Sequence, residues 1–180
     1  KEIASGIPSG STLFLSSSRP IRDMEGFATP RNGVTTYANR GLAGIDGNIS
    51  TALGIASASR ATFAVLGDLS FLHDLTGLIH REEINCCIIV INNDGGGIFS
   101  TLPQRGLPGF ETVFGTPHGL DPAAIAGAMG VKSSTITTIA ELKKTLATPV
   151  QGISIVVAKV PSRDANADSL KAIYDSMSSI

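Results

Sequence analysis

Two short apolar runs, separated by a stretch long enough for a helix, constrain this chain more than any other feature. The first run, residues 63–66, ends in Gly-Asp, and the second, residues 86–91, ends in Asn-Asn-Asp and three glycines. Runs of this length bounded by turn residues are typical of buried strands, and a helical crossover makes the two strands parallel. The stretch therefore predicts a strand–helix–strand unit of an α/β fold.

The polar residues that follow these two strands are expected at one edge of the sheet. Asp68 follows the first strand, Asn93 follows the second, and Gly95 lies two residues further on. Parallel strands end at the same edge, which is where open α/β sheets bind ligands. A carboxylate, a carboxamide and a backbone carbonyl are ligands that Mg²⁺ prefers, and N–H groups of a glycine run can approach phosphate oxygens. Either Asp68 or Asn93 alone is more simply explained as a helix cap or a turn residue, but the pair indicates a metal–diphosphate site.

Four segments of the chain carry a more specific signal. They are N-R-G at 39–41, G-I-D-G at 44–47, G-D-L-S-F-L-H-D-L at 67–75 and N-N-D-G-G-G-I-F at 92–99. The Gly-Asp and Asn-Asn pairs resemble the diphosphate-binding motif of thiamine-diphosphate-dependent enzymes. In this order and spacing, the four segments together resemble the MenD family, the 2-succinyl-5-enolpyruvyl-6-hydroxy-3-cyclohexene-1-carboxylate synthases of menaquinone biosynthesis.

This resemblance implies a fold, a cofactor and a set of site residues. The implied fold is α/β, a doubly wound, mostly parallel sheet with helices on both faces. The implied cofactors are thiamine diphosphate and Mg²⁺ (or Mn²⁺), with Asp68, Asn93 and the Gly95 carbonyl as metal ligands. The residues expected at the cofactor are Gly44, Ile45, Asp46, Gly67, Asp68, Leu69, Ser70, Asn93, Gly95, Gly96 and Ile98.

Four of the implied roles have plainer alternatives. Ile45 resembles the bulky aliphatic residue that holds the cofactor bent in this family, although an isolated Ile between glycines is also a natural core residue. Arg22 and Arg40 are candidate clamps for substrate carboxylates, because a guanidinium offers a bidentate fork; the alternative is a surface arginine. Phe99 is a candidate apolar wall of the same pocket or a core residue.

The implied reaction is that of a transferase. It decarboxylates 2-oxoglutarate and adds the resulting succinyl carbanion to isochorismate, in a cytoplasmic homodimer or homotetramer whose active site is shared between subunits. Two other hypotheses stay open. One is another thiamine-diphosphate-dependent 2-oxo acid decarboxylase or synthase, such as an acetohydroxyacid-synthase relative. The other is a non-catalytic nucleotide- or flavin-binding α/β module.

Length and composition set the limits of these readings. The chain has 180 residues, enough for one α/β core, and the resemblance covers only the C-terminal third of the family's length. We expect a linker remnant at 1–10 and the diphosphate-binding domain at 11–180. The pyrimidine-binding and middle domains, with the glutamate that activates the cofactor, are expected outside this chain, so the chain alone should be inactive. A net charge of −1 gives no basic patch for nucleic acid, and no apolar run approaches the ~18 residues of a membrane span.

The rest of the sequence alternates between strand and helix patterns. Asp46 and Asp121 are expected to cap the helices that follow them. Residues 103–120 carry no periodicity and are expected to form a long loop. The predicted strands are 11–16, 34–37, 62–67, 86–91, 134–137 and 152–158; the predicted helices are 21–26, 47–59, 70–81, 121–129, 139–147 and 164–178, with a helical turn at 98–102.

The three histidines and two further acids are expected to have supporting roles. His73, His80 and His118 are interpreted as structural or solvent-facing, because proton transfer in this family rests mainly on the cofactor. Asp74 and Asp94 are interpreted as hydrogen-bonding supports. The adjacent cysteines 86 and 87 should point to opposite faces of a strand and remain reduced.

Overall fold

The computed structural model, which describes residues 1–79 and 83–178, is built on one parallel sheet. Its six strands pair in the order β2-β1-β3-β4-β6-β5, and each pairing is parallel. This confirms the predicted fold class. In chain order the strands are β1 Ser11–Leu15, β2 Val34–Ala38, β3 Thr62–Gly67, β4 Cys86–Asn92, β5 Lys132–Ile136 and β6 Ile153–Lys159.

Helices connect the strands and cover both faces of the sheet. Within the described residues none is long and apolar enough to cross a membrane. The α-helices are α1 Glu2–Gly6, α2 Arg19–Phe27, α3 Asn48–Ser57, α4 Asp68–Leu72, α5 Pro122–Ala128, α6 Ile139–Ala147 and α7 Arg163–Met177. Short turns of 3-10 helix lie at Leu75–Ile79 and Phe99–Thr101, and a π-helical turn lies at Glu111–Gly115.

The core consists of two apolar clusters, one on each face of the sheet. On β4, Cys86, Ile88 and Val90 join the cluster that contains residues of α3, α4 and α5. Cys87 and Ile89 join the other cluster, with residues of α1, α2 and α6. Successive residues of a strand point to opposite faces, so a strand buried on both sides reads as a continuous apolar run. Both cysteines are buried and free, on opposite faces as predicted.

Residues 1–10 differ from the expected linker. Helix α1 lies against α6, and the Ile7 side chain after it is 1% exposed and belongs to the second cluster. At Gly6 the approach is so close that an added Cβ would stand 2.7 Å from Leu146 Cδ1. The sequence of this segment is mostly polar, but its few apolar residues, Ile3, Ala4 and Ile7, are spaced for one helical turn and face the core.

The crossover between β3 and β4 is not the single helix predicted at 70–81. Helix α4 ends at Leu72, and the chain continues as a 3-10 turn, with the last predicted residues outside the described part. The Asp74 carboxylate accepts hydrogen bonds from Ser50 N (2.7 Å) and Ser50 Oγ (3.1 Å). At Gly77 an added Cβ would lie 2.7 Å from Ser50 Oγ. Tertiary contacts with α3 therefore override the local helical pattern, and Asp74 has the supporting role expected of it.

One predicted cap is wrong and the other is confirmed. Helix α3 begins at Asn48, and its N-cap is Gly47 in the left-handed conformation (φ 63°), with no side-chain cap from Asp46. Asp121 does cap α5, because its carboxylate accepts hydrogen bonds from two N–H groups of the first turn. In α6, Thr138 and Glu141 form a reciprocal capping box that fixes the start of the helix where the pattern predicted it.

The strand order places a switch point between β1 and β3. From β1 the chain adds β2 on one side, and it then returns to add β3 and β4 on the other side. The loops that leave β1 and β3 therefore diverge over opposite faces, and a crevice opens between them at the carboxyl ends of the strands.

Candidate functional site

A cavity of about 370 Å³ lies at this switch point. Its walls come from the residues that follow β1, β3 and β4, and from the loop between β2 and α3. The predicted site residues that line it are Ile45, Gly67, Asp68, Leu69, Ser70, Asn93, Gly95, Gly96, Ile98 and Phe99.

Asp68 and Asn93 meet at the same end of the sheet. Gly67, the last residue of β3, is in register with Ile91 of β4, so the next residues of both strands leave the sheet side by side. Asp68 is 2% exposed. Its Oδ2 accepts hydrogen bonds from Asn93 N (3.2 Å) and Gly95 N (2.9 Å), and its Oδ1 accepts one from Leu69 N (2.7 Å). Backbone N–H groups thus hold a buried carboxylate at the point where the two loops converge.

The donor set at this point fits a hard divalent cation. It comprises the Asp68 carboxylate, the Asn93 carboxamide and the Gly95 carbonyl. The Gly95 carbonyl accepts one hydrogen bond, from Gly97 N (2.9 Å), and its second lone pair remains available to a cation. No cluster of three or more His, Cys, Asp or Glu side chains suited to a metal occurs in the described residues. A metal here would therefore depend on one acid and on neutral oxygens, which suits Mg²⁺ or Mn²⁺ when phosphate oxygens complete the shell.

The glycine run has a different role from the one predicted. Its N–H groups are already used: Gly95 N donates to Asp68 Oδ2 (2.9 Å), Gly96 N to Gly115 O (2.8 Å) and Gly97 N to Gly95 O (2.9 Å). An added Cβ at Gly95 would stand 2.2 Å from Gly115 O, and one at Gly96 would stand 2.2 Å from Phe114 O. The absence of side chains therefore lets the π-helical turn pack on this loop. It does not leave free N–H groups for a phosphate.

Ile45 is held over the start of α4. Ser70 Oγ donates a hydrogen bond to Ile45 O (2.8 Å), which ties the loop before α3 to the loop after β3. Both residues line the cavity. The backbone of Ile45 is therefore fixed relative to Asp68, two residues before Ser70.

The structure brings Arg19 into the cavity wall, and it does not bring Arg22 there. Arg22 is exposed, and its guanidinium donates to Ser18 O (2.8 Å) at the start of its own helix. Ser18 has a positive φ of 75°, so the bond closes a strained turn. Arg19 lines the cavity and pairs with Asp23, which also lines it. Burial raises the pKa of the Asp23 carboxyl, and the charge and hydrogen bond of Arg19 oppose that rise only in part.

Arg40, Gly44 and Asp46 line a neighbouring groove, outside the main cavity. Arg40 is exposed. The Asn48 amide donates to Gly44 O (3.4 Å) and Asp46 O (3.1 Å), so these carbonyls anchor the start of α3. The four-residue motif at 44–47 is therefore split, with only Ile45 turned into the cavity.

His118 reaches the site from the long loop and was missed as a site residue. Its side chain is 9% exposed, with Nε2 3.4 Å from Asp68 Oδ2 and Nδ1 3.6 Å from Asp94 Oδ1. Asp94 Oδ1 also accepts hydrogen bonds from Gly119 N (2.8 Å) and His118 N (3.1 Å). These backbone bonds, led by the one from Gly119, lower the pKa of the Asp94 carboxyl. Asp94 thus has the supporting role expected of it. The interpretation of His118 as a structural or solvent-facing residue did not include its contact with Asp68.

The rest of the long loop closes on the same region through aromatic side chains. Phe99 stacks at an angle on Phe114 (ring centroids 5.3 Å apart), and Phe110 contacts Phe114 (5.9 Å). The sequence signals this contact only through Phe110 and Phe114, two aromatic residues within an otherwise aperiodic segment. His73 is exposed and does not line the cavity, whereas His80 lies outside the described residues.

Fold and site together define an α/β cofactor-binding domain whose cavity is suited to a cation-bound anionic ligand. Residues 22–158 match the sequence model of the family described as "Thiamine pyrophosphate enzyme, C-terminal TPP binding domain". The chain therefore belongs to the thiamine pyrophosphate enzymes, as the motif resemblance predicted.

Curated relatives narrow this assignment. The chain is similar to proteins named 2-succinyl-5-enolpyruvyl-6-hydroxy-3-cyclohexene-1-carboxylate synthase from Thermobifida fusca, Corynebacterium diphtheriae and Chloroflexus aurantiacus. The identities are 45% over 154 residues, 41% over 186 and 40% over 177, covering 81%, 95% and 96% of this chain. The matched regions make up 28%, 36% and 30% of those relatives, so the chain spans about a third of their length.

Solved structures show the same fold at low identity. Benzoylformate decarboxylase from Polynucleobacter necessarius superposes with a TM-score of 0.71 at 20% identity, covering 89% of this chain and 32% of that one. The 4-hydroxybenzoylformate decarboxylase from Rhodococcus jostii superposes with a TM-score of 0.66 at 17% identity, covering 91% and 32%. These likenesses establish the architecture alone.

Proposed function

We propose that this chain is the cofactor-diphosphate domain of a 2-succinyl-5-enolpyruvyl-6-hydroxy-3-cyclohexene-1-carboxylate synthase. The complete enzyme is the transferase of menaquinone biosynthesis that decarboxylates 2-oxoglutarate and adds the succinyl carbanion to isochorismate. Relatives that carry this name, at 38% to 52% identity, support the proposal. Because the chain spans about a third of their length, turnover requires further protein, and the 180 residues alone are expected to be inactive.

The observation that carries the proposal is the convergence of Asp68, Asn93 and Gly95 at the floor of the switch-point cavity. These residues would hold Mg²⁺ (or Mn²⁺), and the cation would neutralise a diphosphate beside a buried carboxylate. When bound, thiamine diphosphate supplies an electron sink for the carbanion that decarboxylation leaves.

The remaining cavity residues orient and enclose the ligand. Ile45, fixed by Ser70, presents an aliphatic side chain to the cavity, and Ile98 and Phe99 form an apolar wall that excludes water. The substrate carboxylates are assigned to arginines. Arg40 lies in the adjoining groove, while Arg22 would have to leave Ser18 to take part.

The proposal includes a cytoplasmic homodimer or homotetramer with a shared active site. Leu42, in the loop between Arg40 and Gly44, is 89% exposed beside the groove, and Tyr37 on the edge strand β2 is 48% exposed. Such apolar side chains near a site are suited to burial by another domain or subunit.

Calorimetry tests the binding half of the proposal. The chain is titrated with thiamine diphosphate in the presence and absence of Mg²⁺, and with FMN and ATP. We expect Mg²⁺-dependent binding of thiamine diphosphate alone, abolished by Asp68→Ala and retained in the control Asp175→Ala, since Asp175 lies far along α7 in a surface ion pair. Binding of FMN or ATP instead would favour a nucleotide- or flavin-binding module, and unchanged affinity in Asp68→Ala would remove Asp68 from the site.

A chimera tests the chemical half. In the Thermobifida fusca relative, the segment that matches this chain is replaced by the corresponding residues of this chain. We expect the chimera to consume 2-oxoglutarate together with isochorismate. Decarboxylation of other 2-oxo acids, independent of isochorismate, would favour the decarboxylase or acetohydroxyacid-synthase alternative.

A further inference from the structure

His118 is the buried titratable group at the site that the proposed function does not use. It comes from the segment after the π-helical turn, and its imidazole lies between the carboxylates of Asp68 and Asp94. The backbone around it is fixed independently of the ring, because Asp94 Oδ1 accepts hydrogen bonds from His118 N (3.1 Å) and Gly119 N (2.8 Å). The backbone that carries the imidazole is thus anchored to Asp94.

The hydrogen bonds of the ring define its tautomer. Nδ1 accepts a hydrogen bond from Leu120 N (3.0 Å), so the neutral ring carries its proton on Nε2. Nε2 is buried and forms no hydrogen bond with any residue in the described part of the chain. Asp68 Oδ2 lies 3.4 Å from it. A donor without a partner therefore faces the carboxylate assigned to the cation.

The two oxygens of Asp68 are not equivalent. Oδ2 accepts N–H groups from Asn93 and Gly95 and faces the His118 ring, whereas Oδ1 accepts the N–H of Leu69. Three protein donors therefore surround Oδ2, two of them hydrogen-bonded N–H groups and the third the more distant Nε2–H at 3.4 Å, whereas Oδ1 accepts the one N–H of Leu69. Oδ1 thus keeps capacity for a further ligand.

We infer that His118 is a positioning residue for the Asp68 carboxylate: its Nε2–H holds Oδ2 toward the protein and leaves Oδ1 to the cation. The inference rests on the metal site of the proposed function. Donors behind a metal-binding side chain fix its orientation, and their removal weakens metal affinity by about 10- to 100-fold. His118 also links the long loop to the carboxylate at the cavity floor.

Two variants and two controls test this on the full chain and on the chimera. His118→Leu removes the donor, and His118→Gln keeps an N–H donor at a similar reach. His73→Leu makes the same change at an exposed histidine five residues after Asp68, and Asp68→Ala reports on the metal site itself. Electron paramagnetic resonance with Mn²⁺ and thiamine diphosphate gives the cation affinity and the symmetry of its coordination. Thermal melts of the metal-free variants report any loss of packing.

We expect His118→Leu to weaken Mn²⁺ binding by about 10- to 100-fold and to broaden its spectrum, with His118→Gln restoring both and His73→Leu changing neither. Equal losses in His118→Leu and His118→Gln, accompanied by equally lowered melting temperatures, would mean a packing role and overturn the inference. Unchanged affinity in His118→Leu would also overturn it, while leaving the proposed function intact if Asp68→Ala still abolishes binding. Failure of Asp68→Ala to affect binding would instead refute the metal site of the proposed function.

A measurement without any metal decides the geometry. Long-range ¹H–¹⁵N correlation spectra of the metal-free chain should show His118 protonated on Nε2, with Nδ1 as the acceptor. Protonation on Nδ1 alone would overturn the inference regardless of the affinities.

Discussion

Replacing Gly96 by alanine separates two explanations of the glycine run. If the run exists to admit phosphate, the substitution should weaken the cofactor and leave the cofactor-free fold unaffected. The structure indicates otherwise, because an added Cβ at Gly96 would lie 2.2 Å from Phe114 O and 2.9 Å from Phe99 Cδ2. The first of these atoms is backbone and cannot rotate away, so either the glycine loop or the π-helical turn must move.

The expected cost follows from the contacts that such a movement breaks. Insertion of a methyl group into a closely packed site costs about 1–3 kcal/mol. Separation of the two segments also loses the hydrogen bond from Gly96 N to Gly115 O (2.8 Å), worth about 0.5–1.5 kcal/mol. Together these lower the free energy of unfolding by about 1.5–4.5 kcal/mol, which corresponds to a melting temperature about 3–18 °C lower for a domain of this size.

The assay is urea and thermal unfolding of the cofactor-free chain. Gly54→Ala is the matched control, because Gly54 is exposed within α3 and an added Cβ there meets nothing within 4 Å. Alanine should stabilise that helix position by about 0.5–1 kcal/mol. A Gly96→Ala variant that melts within a degree of the parent chain, or that shifts in the same direction as Gly54→Ala, would refute the packing explanation.

The structure specifies the outcome of four further experiments. Ser70→Ala removes the hydrogen bond to the loop before α3 (2.8 Å) and should lower the unfolding free energy in urea by about 1 kcal/mol. Backbone hydrogen bonds lower the pKa of Asp94 below its ordinary 3.8, so its stabilisation is complete above pH 3.8 and is lost as the pH falls through the lowered folded-state pKa; Asp94→Asn should remove that acid-side loss in melts at successive pH values. Burial raises the pKa of Asp23 above 3.8, so its contribution has the opposite sign: it is present below pH 3.8 and lost as the pH rises through the raised value, and Asp23→Asn should remove that loss. Burial raises the pKa of the Cys86 thiol to about 12 and also raises the pKa of the Cys87 thiol. Iodoacetamide at pH 8 should therefore label neither thiol in the folded chain and both thiols in urea.

The strand and helix pattern was predictable because each element carries its own signal. The apolar run of β4 and the Thr138–Glu141 capping box mark their elements locally, and both appear at the predicted residues within one position. The crossover after β3 carried an equally helical pattern. It is interrupted because Asp74 and Gly77 serve contacts with Ser50, and no window of the local sequence contains that partner.

The residues of the site were likewise predictable only where local sequence and sheet topology determine their positions. Asp68 and Asn93 could be placed together because parallel strands in register bring their ends to one edge, which is a consequence of topology alone. The direction of Arg22 could not be predicted, since Arg19 and Arg22 share a helix and Arg22 is turned back onto the Ser18 carbonyl, in a turn with a positive φ that the sequence does not signal. The position of His118 could not be predicted from the local sequence, because it depends on how the long loop packs against the glycine run at 95–97.

The pairing of β3 with β4 runs without a break from Thr62 opposite Cys86 to Gly67 opposite Ile91. A slip of one residue along that ladder would invert every side chain of β4 and carry Asn93 away from the acid beside it. The alignment of these two side chains is consequently decided by apolar residues as far as about 20 Å from the cavity. Substitutions in the middle of the sheet can therefore separate Asp68 from Asn93 in a domain that still folds, with no altered atom at the cavity itself.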